Sequence, residues 1–158
     1  MVKWGGTDWE QQRRRKARNR KMGNDGKAGG RYMQGTRTFE NLEVWQAGRK
    51  LRQDVSALVK SFPSIEKLRL ADQMVRASRS VTANIAEGYG RYHFQENIQF
   101  CRQARGSLFE LLDHFSVCND EGYITEEKLA DFRRSILNTI KVLNGYIGYL
   151  RNQKGDAD

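Results

Sequence analysis

A chain of 158 residues with 38% hydrophobic content and a formal charge of +9 is long enough for one domain with a core and too short for two of ordinary size. No apolar run approaches the ~20 residues of a membrane span, and the arginine-rich start has no apolar region behind it, so the sequence offers neither a spanning helix nor a secretory signal. Its two cysteines exclude a disulfide scaffold.

The charge is unevenly placed. Residues 1 to 38 contain 11 bases against three acids, whereas residues 39 to 158 contain 17 bases against 16 acids. Arg13, Arg14, Arg15, Lys16, Arg18, Arg20 and Lys21 put seven bases into nine positions. Seven glycines and almost no aliphatic side chains in the same segment leave little apolar surface to offset ordering entropy. Residues 1 to 38 are therefore read as a disordered basic extension, with 10 to 22 able to form a helix on a polyanion. Trp4, Trp9 and Tyr32 lie near the run and offer stacking faces. Such a segment binds nucleic-acid phosphate strongly and with little sequence preference. It lacks the interleaved Leu or Phe of a membrane-surface helix.

From Asn41, a plausible N-cap, the pattern becomes helical. Val44, Trp45, Gly48, Leu51, Val55, Leu58, Val59 and Phe62 follow at three- and four-residue steps, and Pro63 ends the run. A second helix is expected from Ser64 to Glu87, burying Leu68, Ala71, Met74 or Val75, Ser78, Val81 and Ile85. A third starts near Phe94 and passes through Ile98, Cys101, Ala104, Leu108, Leu111, Leu112, Phe115 and Cys118. Seventeen residues at ~1.5 Å rise separate the two cysteines by roughly 25 Å, beyond disulfide reach, which favours buried free thiols in a reducing cytoplasm. After a break containing Gly122, Thr125 caps a fourth helix, with Glu126 and Glu127 favourably set against its N-terminal dipole. Its apolar stripe is Leu129, Phe132, Ile136, Ile140, Leu143, Ile147 and Leu150, a bundle seam. These elements predict an all-α, antiparallel up-down-up-down four-helix bundle over residues 39 to 152, followed by a disordered tail over 153 to 158.

No nucleotide-binding loop, zinc motif, CxxC pair or nucleophile elbow is present. His93 and His114 each lack a second ligand at metal spacing, and the Glu110–His114 pair has no counterpart of the kind a di-iron bundle needs. The sequence is read as non-enzymatic, without metal or cofactor. Arg69, Arg76 and Arg79 fall on one face of the second helix, and Arg102 and Arg105 lie on the third. These arginines suit phosphate contacts; the plainer reading is a solvated helix face, since Asp72 and nearby carboxylates dilute the field. Asn84 and Glu87, just before Gly88, are either a ligand-binding pair or a structural polar motif. In the second case Asn84 bonds a facing helix and Glu87 pairs with Arg91 one turn on.

Two segments, FENLEVWQAGRKL from Phe39 to Leu51 and SVTANIAEGYGR from Ser80 to Arg91, resemble the four-helix-bundle proteins encoded in intervening sequences of bacterial 23S rRNA genes. The accessory variability determinants of diversity-generating retroelements have a similar bundle. The resemblance covers about Phe39 to Asn152. It implies a cytoplasmic homo-oligomer, a ring of five in relatives, whose partner is ribosomal RNA or its inserted stem, or a reverse transcriptase with its template RNA. A ring scaffold for a protein partner is the reading without nucleic acid. Tyr89, Tyr92, Tyr146 and Tyr149 exceed what a four-helix seam needs and are compatible with subunit contacts. Similar proteins begin shortly before Phe39, where Met33 stands as an alternative start.

Overall fold

The computed structural model describes residues 38–91 and 93–155. The expected basic extension therefore lies outside the described residues, apart from Thr38, as does Tyr92. Four helices carry the fold: α1 over Glu43–Leu58, α2 over Leu70–Tyr89, α3 over Phe94–Asp120 and α4 over Glu126–Gly155. Consecutive helices pack on one another and α1 closes against α4. The result is an antiparallel four-helix bundle, with no strand among the described residues.

The entry to α1 differs from the expected Asn41 cap. Thr38 opens a 3-10 turn over Phe39–Asn41, its hydroxyl accepting from the Glu40 N–H at 3.3 Å. The Asn41 side chain turns back to accept from the Thr38 N–H at 3.1 Å. Asn41 thus belongs to a capping box one turn too early to serve α1, which begins at Glu43 with Leu42 in the N-cap position and no side-chain cap.

The expected start of α2 at Ser64 is also corrected. Pro63 is followed by a 3-10 turn over Ser64–Glu66, and Arg69, at φ −121° and ψ −106°, is not helical. Glu66 is the reason α2 begins where it does: one carboxylate oxygen accepts from the Leu70 N–H at 3.3 Å. The other accepts from the Tyr123 hydroxyl at 3.3 Å, while Phe62 packs on the Tyr123 ring at 5.4 Å between centroids. The connection is tied down by Phe62 and Glu66, and Leu68, expected in the core, stands 91% exposed.

The α3–α4 turn is a Schellman closure. Gly122 takes φ +72°, and the Tyr123 N–H reaches the Cys118 carbonyl at 2.8 Å. Thr125 caps α4 as expected, its hydroxyl accepting from the Lys128 N–H at 3.2 Å. α4 runs on to Gly155, beyond the expected end at 152, Gln153 and Lys154 both being good helix formers.

All seven seam residues of α4 are buried. Phe132 stacks on Phe115 of α3 at 4.0 Å between ring centroids, and the Cys118 Sγ lies 3.4 Å from the Met74 Sδ of α2. Both cysteines are buried and free. Two glycines set the helix spacing. A Cβ at Gly48 would stand 3.2 Å from side-chain carbons of Thr82 and Val81, so α1 and α2 approach closely there. A Cβ at Gly88 would stand 2.7 Å from the Asn97 Oδ1 and 2.9 Å from the Phe100 Cβ. α2 does end within the Gly88-Tyr89-Gly90 run, at Tyr89 with Gly90 as its C-cap; Gly88 itself is a buried helical residue that lets α3 close against α2.

Candidate nucleic-acid interface

Asn84 and Glu87 each bond a residue four positions away along the chain. The Asn84 amide donates to the Ser80 carbonyl at 2.9 Å and lies 3.0 Å from the Ser80 hydroxyl. Asn84 thus bonds its own helix, not a facing one. Ser80 carries the connection across, being 2.9 Å from the Ser107 hydroxyl of α3. Glu87 pairs with Arg91 at 2.5 Å as the spacing predicts, and the Arg91 guanidinium sits over the Phe100 ring at 4.8 Å. Beside Gly88, Asn97 donates to the Tyr146 hydroxyl at 3.1 Å. Burial pushes the Tyr146 phenol up to about 12. Tyr146 and Tyr149 stack on each other at 6.3 Å, so Tyr146 is tied into the bundle itself.

The five bundle arginines singled out from the sequence do not form one surface. Arg69 precedes α2 and lies in the α1–α2 connection. Arg76 and Arg79 are exposed on α2, with Arg76 3.9 Å from Asp72. Arg105 turns towards α4, donating to the Asn144 Oδ1 at 3.0 Å; Arg102, three residues earlier, shares that flank of α3. The seven bases from Arg13 to Lys21 lie outside the described residues.

Near-neutrality of the bundle conceals a segregation of charge. Residues 107 to 137, around the α3–α4 turn, hold seven carboxylates and three bases. Residues 76 to 106, leading into and out of the α2–α3 turn, hold five bases and two carboxylates, and one turn of α1 adds Arg49, Lys50 and Arg52. Antiparallel packing aligns these basic stretches: Arg52 donates to the Thr82 hydroxyl at 2.9 Å across the α1–α2 seam. One half of the bundle is cationic and the other anionic.

Arg49 and Arg52 escaped the sequence reading because, taken singly, they look like ordinary solvated positions. Their signal was Gly48 just before them, which marks the contact with α2. Arg49 lies over the Trp45 ring at 5.8 Å, and Phe39 meets Trp45 edge-on at 5.2 Å. A hollow of about 420 Å³ adjoins them, lined by Glu40, Trp45, Gln46, Arg49, Lys50 and Gln53. Lys50 is paired with Asp54.

Among the described residues no group of three or more His, Cys, Asp or Glu side chains is arranged to hold a metal ion. His114 faces Glu110 at 3.7 Å, and its Nε2 is buried without a hydrogen bond. No described helix is long and apolar enough to cross a membrane.

The crystal structure, at 1.70 Å resolution, of a protein of unknown function from the S23 ribosomal protein family of Bacteroides thetaiotaomicron VPI-5482 is similar to this one. Its TM-score is 0.62 at 20% sequence identity, over 66% of this chain and 95% of that one. At that identity the likeness is one of fold. No curated protein matches the sequence. Residues 40–145 match the model of the 23S rRNA-intervening sequence proteins, and the chain belongs to that family.

Proposed function

We propose that this protein is a non-enzymatic, self-associating bundle that binds RNA in the cytoplasm. The observation that carries the reading is the segregated charge. A bundle whose cations are gathered in one half, attached to a sequence with seven bases in nine residues, presents the field that phosphate backbones respond to. The family's description ties it to intervening sequences of 23S rRNA, which supports ribosomal RNA or its inserted stem as the partner.

Two features support self-association, with the ring of five as the expected form. Phe109, Val117 and Leu137 are 52%, 37% and 47% exposed on α3 and α4. Gly106, Gly145 and Gly148 sit inside the same two helices with nothing within 4 Å of where a Cβ would be. Each costs helix stability of about 1 kcal/mol relative to Ala, and nothing within the chain uses the space. A second copy approaching these helices closely would use it.

The test is recovery of the full chain from cells under native conditions, sequencing of the RNA that accompanies it, and light scattering of the purified protein. Enrichment of rRNA on an oligomeric protein is the expected result. A monomer that enriches no RNA overturns the reading. Recovery of a reverse transcriptase with its template RNA supports the accessory role instead, and a protein partner without RNA supports the scaffold.

A further inference from the structure

We infer that the outer face of the α1–α2 pair, centred on Arg49, Arg52 and Arg79, is the bundle's contact for an RNA sugar–phosphate backbone. This rests on the RNA-binding reading and names the surface that performs it.

The three guanidinium groups come from two helices but share one seam. Arg49 and Arg52 are three residues apart and so lie on the same side of α1. Arg52 donates to the Thr82 Oγ1 at 2.9 Å, and that hydroxyl in turn donates to the carbonyl of Arg79 at 3.1 Å. Thr82 therefore joins the two rails. Gly48 makes the join short, since a Cβ there would already be 3.2 Å from the Thr82 Cγ2. The arginines are consequently held on adjacent, closely packed helices.

Their pairing also matters. Among the described residues, Arg49, Arg52 and Arg79 have no carboxylate within 4.0 Å, whereas Lys50, Arg76, Arg91 and Arg134 each have one. The nearest carboxylates along each helix, Asp54 and Asp72, are engaged by Lys50 and Arg76. The positions flanking the seam on its outer side are small, Ser56 on α1 and Ala83 on α2, both exposed, so a backbone can approach without displacing bulky groups. Three guanidinium groups without a carboxylate partner, only one of which spends a donor on a neutral hydroxyl, suit phosphate oxygens, which such groups meet in a bidentate fashion. Phosphate contacts of this sort position an RNA without reading its sequence.

The experiment uses the full chain with two labelled probes, a single-stranded RNA and an RNA hairpin, titrated over a range of salt. The variant carries Arg49→Gln, Arg52→Gln and Arg79→Gln. The control removes the same charge from the anionic half, Lys128→Gln, Arg133→Gln and Arg134→Gln. Three lost phosphate contacts lower the slope of log affinity against log salt by about 2 and weaken binding on the order of fifty-fold at ~0.15 M salt. The control should lose much less, and the triple Lys variant at positions 49, 52 and 79 should restore most of the slope. An Arg49→Gln, Arg79→Gln double variant leaves the Arg52–Thr82 bond intact, guards against a folding defect, and should show about two thirds of the loss in slope. Equal loss in variant and control overturns the inference, as does an unchanged variant beside a parent that binds RNA; both outcomes leave RNA binding standing. A parent that binds neither probe overturns RNA binding and this surface together.

Discussion

Gly88→Ala isolates the contact that closes the α2–α3 hairpin. In an exposed helix interior this change is favourable by up to about 1 kcal/mol. Here the new methyl would lie 2.7 Å from the Asn97 Oδ1 and 2.9 Å from the Phe100 Cβ. The Phe100 Cβ moves only with the α3 backbone. The Asn97 amide can turn away, but its Nδ2 holds the Tyr146 hydroxyl at 3.1 Å, in a site where Asn97 is buried. Overpacking of this kind costs about 1–3 kcal/mol, and loss of a partly buried hydrogen bond about 1–3 kcal/mol more. Set against the propensity gain, the net destabilisation should be about 1–5 kcal/mol. Urea unfolding followed by circular dichroism at one fixed protein concentration measures it. Gly106→Ala, whose new methyl meets nothing within its own chain, is the matched control and should raise the stability of the dissociated chain by about 0.5–1 kcal/mol. A Gly88→Ala protein as stable as its parent would refute the close packing of α2 on α3 at this point.

Other outcomes follow from the same packing. Ile140→Asp places an unpaired carboxylate in the α4 seam, where Ile140 is buried, and should unfold the bundle in a thermal melt by costing several kcal/mol, a loss on the order of 3 or more. Gly106→Ala, Gly145→Ala and Gly148→Ala together should raise the melting temperature and yet weaken self-association in light scattering; an unchanged oligomer would remove these glycines from the interface. Burial pushes the Cys101 thiol up to about 12 and Cys118 to about 11. Both should react slowly with a disulfide reagent at pH 8 until urea is added, because the thiolate is the nucleophile. The unfolded chain releases these protons from its ordinary value of 9.0 upward while the folded chain keeps them to about 11 and 12, so the contribution is fully present below pH 9 and stability falls as pH rises through that window. A flat alkaline profile would argue against burial of both thiols.

Most of the architecture was legible because a seam repeating at three and four residues fits little besides a helix packed on others. The α4 stripe from Leu129 to Leu150 is buried at every position expected. Legibility failed where local periodicity gives way to a connection. Leu68 and Arg69 fit the α2 pattern on paper, but Pro63 together with the Glu66 contacts to Leu70 and Tyr123 sets the helix start downstream. Gly88 reads as a helix stop by residue type; only the approach of Asn97 and Phe100, nine and twelve residues on, reveals packing as its reason. The candidate interface was half legible. Of the three arginines proposed for the RNA surface, Arg79 stands out in the sequence by its helix face, whereas Arg49 and Arg52 come beside it only through Thr82.

The most direct test of RNA binding compares the full chain with a chain starting at Met33, which retains every residue of the four helices. Filter binding is measured with RNA at ~50 and ~200 mM salt. With about six phosphate contacts from the extension, the full chain should lose on the order of a thousandfold in affinity across that range. The shorter chain should fold normally, bind far more weakly, and keep a residual affinity that depends on Arg49, Arg52 and Arg79. Equal affinity of the two chains would move the whole interaction onto the bundle, and absence of binding by both would contradict RNA binding outright.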